Sequence, residues 1–212
     1  MAINKGRSYL TSLIEDTVRT FESMLSDIPG YLKENEYLLE LEIENRVKLV
    51  ADGDKEIEEN IRLTFSSYKD DYGDLYSSFY ASYVLSIYSF YERMLSKIVK
   101  ENGLKVPDRA YGKSYAVKYI QTIKRYLGNT QIDSQIEDEI KIIHKEFREL
   151  RNSLVHGIKT TEKLTFIENI EGVNLYESIV FENSNYILAS LRQIKAILLE
   201  IVWKVETLKR QK

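Results

Sequence analysis

Three polar residues near the end of one predicted helix have side chains suited to acid–base chemistry on a phosphate. Arg151 and Asn152 are adjacent in the segment RNSLVHG, and four residues separate Arg151 from His156. Histidine ordinarily titrates at a pKa of about 6.5, so it is the side chain best suited to transfer protons near neutral pH. Arginine carries a permanent charge on a planar fork that fits phosphate oxygens. The three types together could act on a phosphodiester bond.

The helix that must position these side chains is predicted by its periodicity. Asp133 or Ser134 can cap its first turn, and Gly157 can end it. Apolar residues recur at spacings of three and four, which predicts a seam facing the core. The seam comprises Ile140, Ile143, Phe147, Leu150 and Leu154. A polar ridge beside it repeats every four residues and comprises His144, Arg148, Asn152 and His156.

A purely structural role for this ridge is an alternative. Exposed arginine and asparagine are ordinary on a helix surface, and a histidine before a C-terminal glycine complements the helix dipole. The Arg-x4-His spacing by itself is a short pattern.

The wider context of the motif resembles a known family. RNSLVHG follows a serine- and tyrosine-rich helical segment, SYVLSIYSFYERML, and this combination resembles the HEPN superfamily. Members of that family are helical bundles with an Arg-x4–6-His motif and a polar residue, often Asn, directly after the arginine. Arg151, Asn152 and His156 match all three elements. The resemblance covers roughly residues 75–205, and residues 1–70 lie outside it.

The resemblance implies an endoribonuclease of a toxin–antitoxin or phage-defence system that needs no metal and no cofactor. His156 would transfer the proton, Arg151 would bind the phosphate charge, and Asn152 would orient the histidine or the substrate. Cleavage would leave 2′,3′-cyclic phosphate and 5′-hydroxyl ends. A homodimer in which two motif helices face each other across a cleft is implied, with an antitoxin or defence protein as a further partner. Toxins of this family often have tyrosine two residues after the histidine, where this chain has Ile158, so control by modification at that position is not expected.

Additional RNA contacts are predicted outside the motif. His144 and Arg148 extend the polar ridge, and a basic helix from about Lys113 to Leu127 interleaves tyrosines with cations. We expect RNA to contact the basic helix through side chains that can stack on bases or pair with phosphates. These side chains are Tyr115, Lys118 and Arg125. The alternative is that its tyrosines, Tyr111 included, pack on the bundle. Glu92 is predicted to hold Arg148 or Arg151 in place as a minor member of the site, although an exposed glutamate is the commoner arrangement.

Composition narrows the classes of function. The sequence has no cysteine and two histidines, which leaves no disulfides, thiolate zinc sites or cysteine nucleophiles and favours a cytoplasmic location. No Glu-x-x-His pair, phosphate-binding loop or nucleophile elbow is present, so di-metal carboxylate and nucleotide-hydrolysing sites are not expected.

Residues 1–75 hold 9 basic and 17 acidic side chains, whereas residues 92–125 hold 9 basic and 3 acidic ones. A polyanion should therefore approach the second half.

The expected fold is all-α: a HEPN-like antiparallel helical bundle over residues 71–212, preceded by a helical arm over residues 1–70. Pro29-Gly30 should end a first helix, and a core helix should run from about Gly73 to Asn102. Serines 78, 82 and 86 should let a neighbouring helix approach that core helix. A small β-hairpin is expected within residues 163–181, with Leu164–Ile167 as one strand. The uncharged stretch from Leu75 to Tyr91 is shorter than a membrane span, so no membrane association is expected.

The competing interpretation is a HEPN-like bundle without catalysis. Such a protein would bind RNA or a protein partner, as a subunit or antidote of a defence system. The acidic segment of residues 31–75 suits protein contacts or mimicry of nucleic acid.

Overall fold

The structure is a computed structural model that describes residues 8–51, 53–106, 114–128, 132–157, 161–175 and 179–211, apart from the side chains of residues 29, 32–33, 66–75 and 161–164. The described chain is mostly helical with one small antiparallel hairpin, which confirms the all-α expectation at that level. The helices are α1 (Tyr9–Arg46), α2 (Lys55–Glu101), α3 (Tyr115–Leu127), α4 (Ser134–Ile142), α5 (Arg148–His156), α6 (Thr161–Glu168) and α7 (Asn185–Gln211). The strands are β1 (Val173–Leu175) and β2 (Ile179–Phe181), and π-helical turns occupy Val47–Ala51 and Ile143–Phe147.

The helix end expected at Pro29-Gly30 is wrong, because α1 continues through it to Arg46. A proline inside a helix forfeits one hydrogen bond and usually kinks or ends the helix. Leu25 and Ile28 are buried before the proline, and Ile43 is buried after it. The first part of α1 also packs into the main core with α2 and α7.

The second long helix also continues where a break was expected. α2 runs from Lys55 to Glu101, so the boundary proposed at residue 70 falls inside one continuous helix. Gly73 is the single helix-weakening residue between the two expected pieces, and one interior glycine costs only about 1 kcal/mol. The Asp54 side chain caps this helix by accepting hydrogen bonds from the backbone N–H groups of Glu56 and Ile57.

The serine stripe of α2 faces solvent, contrary to the expectation that it contacts a neighbouring helix. Ser78, Ser82 and Ser86 are exposed, and so is the neighbouring Phe79. The opposite side of α2 carries the buried aromatic residues of the bundle. These are Tyr76, Tyr80, Tyr88, Phe90 and Tyr91.

The motif helix comprises α4, the second π-helical turn and α5, and runs from Ser134 to His156 as expected. Asp133 accepts a hydrogen bond from the Gln135 backbone N–H at 2.9 Å, and Gly157 ends the helix at a φ of 73°. A side chain is strained at that φ, so glycine suits this stop. The apolar seam is confirmed, because Leu154 packs against the core and the other four members are buried in it.

The hairpin exists, but its first strand was misplaced. Leu164–Ile167 lies in α6, and β1 pairs with β2 in the register Val173 to Phe181. Ile167 and Ile170 are both buried, and their three-residue spacing favours a helical turn over a strand. Ser77 of α2 fixes the hairpin: its hydroxyl donates to the Ile179 carbonyl at 3.2 Å and accepts from the Phe181 N–H at 3.1 Å.

None of the helices in the described part of the chain is both long and apolar enough to span a bilayer.

Candidate active site at the end of the motif helix

Arg151 is held by two neighbours on the motif helix and on α2. Its Nη1 donates a hydrogen bond to Asn152 Oδ1 at 3.0 Å, and its Cζ lies 5.8 Å from the centroid of the Tyr88 ring. A guanidinium at that distance from an aromatic face is attracted by the ring quadrupole. The side chain of Arg151 is half-buried. The structure thus brings together Arg151 and Asn152 of the expected site.

His156 is the last residue of α5, and its side chain is exposed. In the part of the chain that the structure describes, it forms no hydrogen bond or ion pair. Asn152 precedes His156 by one helical turn and lies on the same side of the helix. Arg151 precedes His156 by five residues, so the two side chains leave the helix about 140° apart around its axis and about 7.5 Å apart along it. One copy of the chain therefore carries an exposed His156 and a half-buried Arg151 on different sides of the helix.

Tyr88 is a member of this site that the sequence did not single out. Its ring lies beneath Arg151 and packs against Phe147, with centroids 6.4 Å apart. Burial raises the pKa of the Tyr88 hydroxyl, and the charge of Glu92 adds to this increase. Ser114, Arg148 and Arg151 act in the opposite direction. The Ser114 hydroxyl is close, although the pair lacks hydrogen-bonding geometry. One available signal was a tyrosine, rather than a phenylalanine, in an apolar stretch.

His144 contacts a tyrosine of α2 within the fold. It lies in the π-helical turn, half-buried, and its Nε2 is 3.1 Å from the Tyr91 hydroxyl. Burial, together with the nearby charges of Arg148 and Lys124, lowers the pKa of His144 to about 4. At neutral pH the imidazole is therefore uncharged. A neutral imidazole offers RNA no charge, and the expected contact between His144 and RNA stays a prediction.

Glu92 and Arg148 contact other residues rather than each other. Glu92 Oε1 accepts a hydrogen bond from the Ala116 backbone N–H at 3.3 Å, so it caps the first turn of α3. Arg148 Nη2 contacts Glu149 Oε1 at 3.1 Å, and Arg148 Nε is buried without an acceptor among the described residues. The charge of Arg148 is close enough to Tyr88 and His144 to lower the pKa of both side chains.

The basic helix α3 presents part of the expected cationic surface. Tyr115 and Arg125 are exposed, Lys118 is half-buried, and Tyr111 lies outside the described residues, as does Ile158. Tyr115 stacks on Tyr119 with ring centroids 6.3 Å apart and an interplanar angle of 28°. Lys118 Nζ lies 5.0 Å from the Tyr115 centroid.

The described residues offer no evident metal-binding site. Among the described residues, no three histidine or acidic side chains are grouped closely enough to hold an ion. What the arrangement offers instead is an exposed imidazole, an oriented guanidinium and an amide on one helix.

Comparison with known proteins gives no family assignment. No protein-family model matches the sequence, and neither the curated proteins nor the solved structures contain a significant match.

Proposed function

We propose that this protein is a metal-independent endoribonuclease of the HEPN type, acting in the cytoplasm in a toxin or phage-defence system. The observation that carries the proposal is the combination of an exposed His156 with Arg151, whose guanidinium is oriented by Asn152 and Tyr88. The matching Arg-Asn-x3-His motif and the helical bundle support it. RNA is the substrate class because its 2′-hydroxyl supplies the nucleophile that these residues lack.

The chemistry requires two proton transfers. As the 2′-oxygen bonds to phosphorus, its proton passes to a base, and as the bond from phosphorus to the 5′-oxygen breaks, that oxygen receives a proton. Arg151 would stabilise the negative charge on the phosphorane oxygens. The products are a 2′,3′-cyclic phosphate and a 5′-hydroxyl.

A homodimer fits this requirement better than a single copy. Arg151 and His156 of one chain lie on different sides of the motif helix, so a phosphate between two facing helices could meet the guanidinium of one and the imidazole of the other. Two facing copies also supply two imidazoles, one to accept a proton and one to donate. Val155, an exposed apolar residue next to His156, offers contact area for such pairing.

The experiment is cleavage of single-stranded and structured RNA by the purified full-length protein in EDTA. Wild type is compared with Arg151→Ala, His156→Ala and Lys145→Ala, the last removing an exposed cation from the same helix. We expect cleavage by wild type and Lys145→Ala and a loss of at least about 100-fold in the other two. Equal cleavage by all four proteins, or none by wild type, would contradict the proposal.

A second candidate is a non-catalytic module that binds a protein partner. The observation favouring it is the set of exposed apolar side chains in the acidic helical segment of residues 31–65, where Leu49 is 82% exposed. Such residues mark contact surfaces. Others in the segment are Tyr31, Tyr37, Leu38, Leu41, Val50, Ile57 and Leu63. A defence partner or antitoxin would bind there, and the absence of RNA cleavage in the experiment above would favour this function.

A further inference from the structure

The first turn of α3 holds an aromatic face open to solvent. Tyr115 is 64% exposed, and its ring is nearly parallel to that of Tyr119, with an interplanar angle of 28°. Lys118 Nζ lies 5.0 Å from the centroid of the Tyr115 ring. The Tyr115 ring therefore has an aromatic neighbour and a cation beside it, while most of its surface is open to solvent.

This aromatic face is anchored next to the proposed catalytic residues. Glu92 Oε1 accepts from the Ala116 backbone N–H at 3.3 Å, which fixes the start of α3 on α2 one helical turn after Tyr88. Ser114 lies close to the Tyr88 hydroxyl, and the guanidinium of Arg151 lies over the Tyr88 ring. Tyr115 directly follows Ser114, so it flanks the residues that hold Arg151.

We propose that Tyr115, Tyr119 and Lys118 form a stacking shelf for one unpaired RNA base next to the scissile phosphate. The shelf would make unpaired RNA the substrate class, an inference that rests on the proposed ribonuclease function. A base in a duplex has both faces covered by its neighbours, whereas a base in a single strand or loop can lie on an aromatic ring. Lys118 would contact the phosphate that follows the stacked base.

The stretch of sequence that contains the shelf carries a net positive charge, which suits a polyanionic ligand. Residues 92–125 hold 9 basic and 3 acidic side chains, and one of those acids, Glu92, is engaged with the backbone of α3. Lys124 is not part of the shelf, because its Nζ pairs with Glu137 Oε1 at 2.7 Å. Lys118 and the exposed Arg125 therefore remain as the cations of α3 that face no ion-pair partner among the described residues.

The test is binding of fluorescent RNA to the full-length protein carrying His156→Ala, which prevents cleavage during the measurement. The probes are a single-stranded RNA of about 12 nucleotides and the same strand in a perfect duplex. We expect tighter binding of the single strand, and Tyr115→Ala should weaken that binding about tenfold while leaving duplex binding unchanged. Tyr115→Phe should bind as tightly as the parent, since stacking needs the ring and not the hydroxyl. Tyr37→Ala is the matched control, because Tyr37 is also 64% exposed but lies on the acidic α1.

Three results would overturn the shelf: equal binding of single strand and duplex, unchanged binding after Tyr115→Ala, or the same loss with Tyr115→Phe as with Tyr115→Ala. Failure of the shelf and failure of the nuclease are distinguishable. Cleavage by wild type that Tyr115→Ala leaves unaltered would refute the shelf alone. Selective, Tyr115-dependent binding by a protein that never cleaves RNA would refute the nuclease alone.

Discussion

The guanidinium of Arg151 lies over the ring of Tyr88, 5.8 Å from Cζ to the ring centroid. This contact joins the motif helix to α2 at the point where the proposed chemistry occurs. Tyr88 itself packs on Phe147 and Tyr91, with centroids 6.4 and 6.2 Å apart. The orientation of the arginine is therefore supported by the aromatic core, and changes in that core should alter cleavage as well as stability.

Changes at Tyr88 should separate the role of its ring from that of its hydroxyl. The hydroxyl is buried without a hydrogen-bond partner among the described residues, so Tyr88→Phe should change the free energy of unfolding by less than about 1 kcal/mol and leave cleavage intact. Tyr88→Leu removes the aromatic face and should cost about 2 to 4 kcal/mol and slow cleavage about tenfold. Denaturant unfolding and RNA cleavage rates would measure both. Loss of activity in Tyr88→Phe would mean that the hydroxyl takes part directly.

The buried His144 should make the fold less stable in mild acid. Its pKa is lowered to about 4, so between about pH 6.5 and pH 4 the unfolded chain binds a proton at this site that the folded chain does not. Stability from this residue is present above pH 6.5 and is lost as the pH falls. We expect about 2 kcal/mol of it to be lost between pH 7 and pH 5.

His144→Gln removes the titrating group and should abolish that part of the pH dependence. The measurement is denaturant unfolding of wild type and variant at pH 7 and pH 5. An identical pH dependence in the two proteins would show that His144 is not titrating as the structure implies. The variant should still cleave RNA at neutral pH, because the neutral imidazole of His144 has no positive charge with which to bind a phosphate.

Glu92 should act through α3 and not through the arginines. Glu92→Ala removes the acceptor for the Ala116 N–H and should cost about 1 kcal/mol, as the loss of a helix cap usually does. Glu92→Gln retains an acceptor oxygen, so it should cost less. Thermal unfolding of the three proteins measures the difference. If Glu92→Gln proved as damaging as Glu92→Ala, the carboxylate charge would be the important property, as the original pairing with arginine supposed.

Ser77 should be essential for docking the hairpin on α2. Ser77→Ala leaves the Ile179 carbonyl and the Phe181 N–H without their partner, which should cost about 1 to 3 kcal/mol. Ser89→Ala is the matched control, because Ser89 is an exposed serine on the same helix and alanine favours helix there. Equal stability of the two variants would contradict the assigned role of Ser77.

Local signals in the sequence were enough for the motif helix and its ends. Asp133 and Gly157 mark its limits, and the apolar seam identified its buried side. The π-helical turn at Ile143–Phe147 has no comparable signal. That turn adds about one residue to the helical repeat, so the four-residue periodicity that placed His144 on an exposed ridge does not hold there.

The errors elsewhere arise because the local sequence does not determine the tertiary environment of an element. Pro29 predicts a helix end, yet α1 continues through it to Arg46. Serine periodicity on α2 predicts close helix packing, yet Ser82 and Ser86 face solvent. Tyr88 was missed because an apolar stretch indicates burial but not which buried ring will lie beneath a particular arginine.

Analysis of the product ends tests the central claim most directly, because it reports which nucleophile attacked the phosphate. An RNA and the DNA of the same sequence are incubated with the protein in EDTA, and the ends of any fragments are identified by mass spectrometry. If Arg151 and His156 promote attack by the 2′-hydroxyl, the RNA gives 2′,3′-cyclic phosphate and 5′-hydroxyl ends and the DNA stays intact. Fragments with 3′-hydroxyl and 5′-phosphate ends, or cleavage of the DNA at a similar rate, would contradict the account.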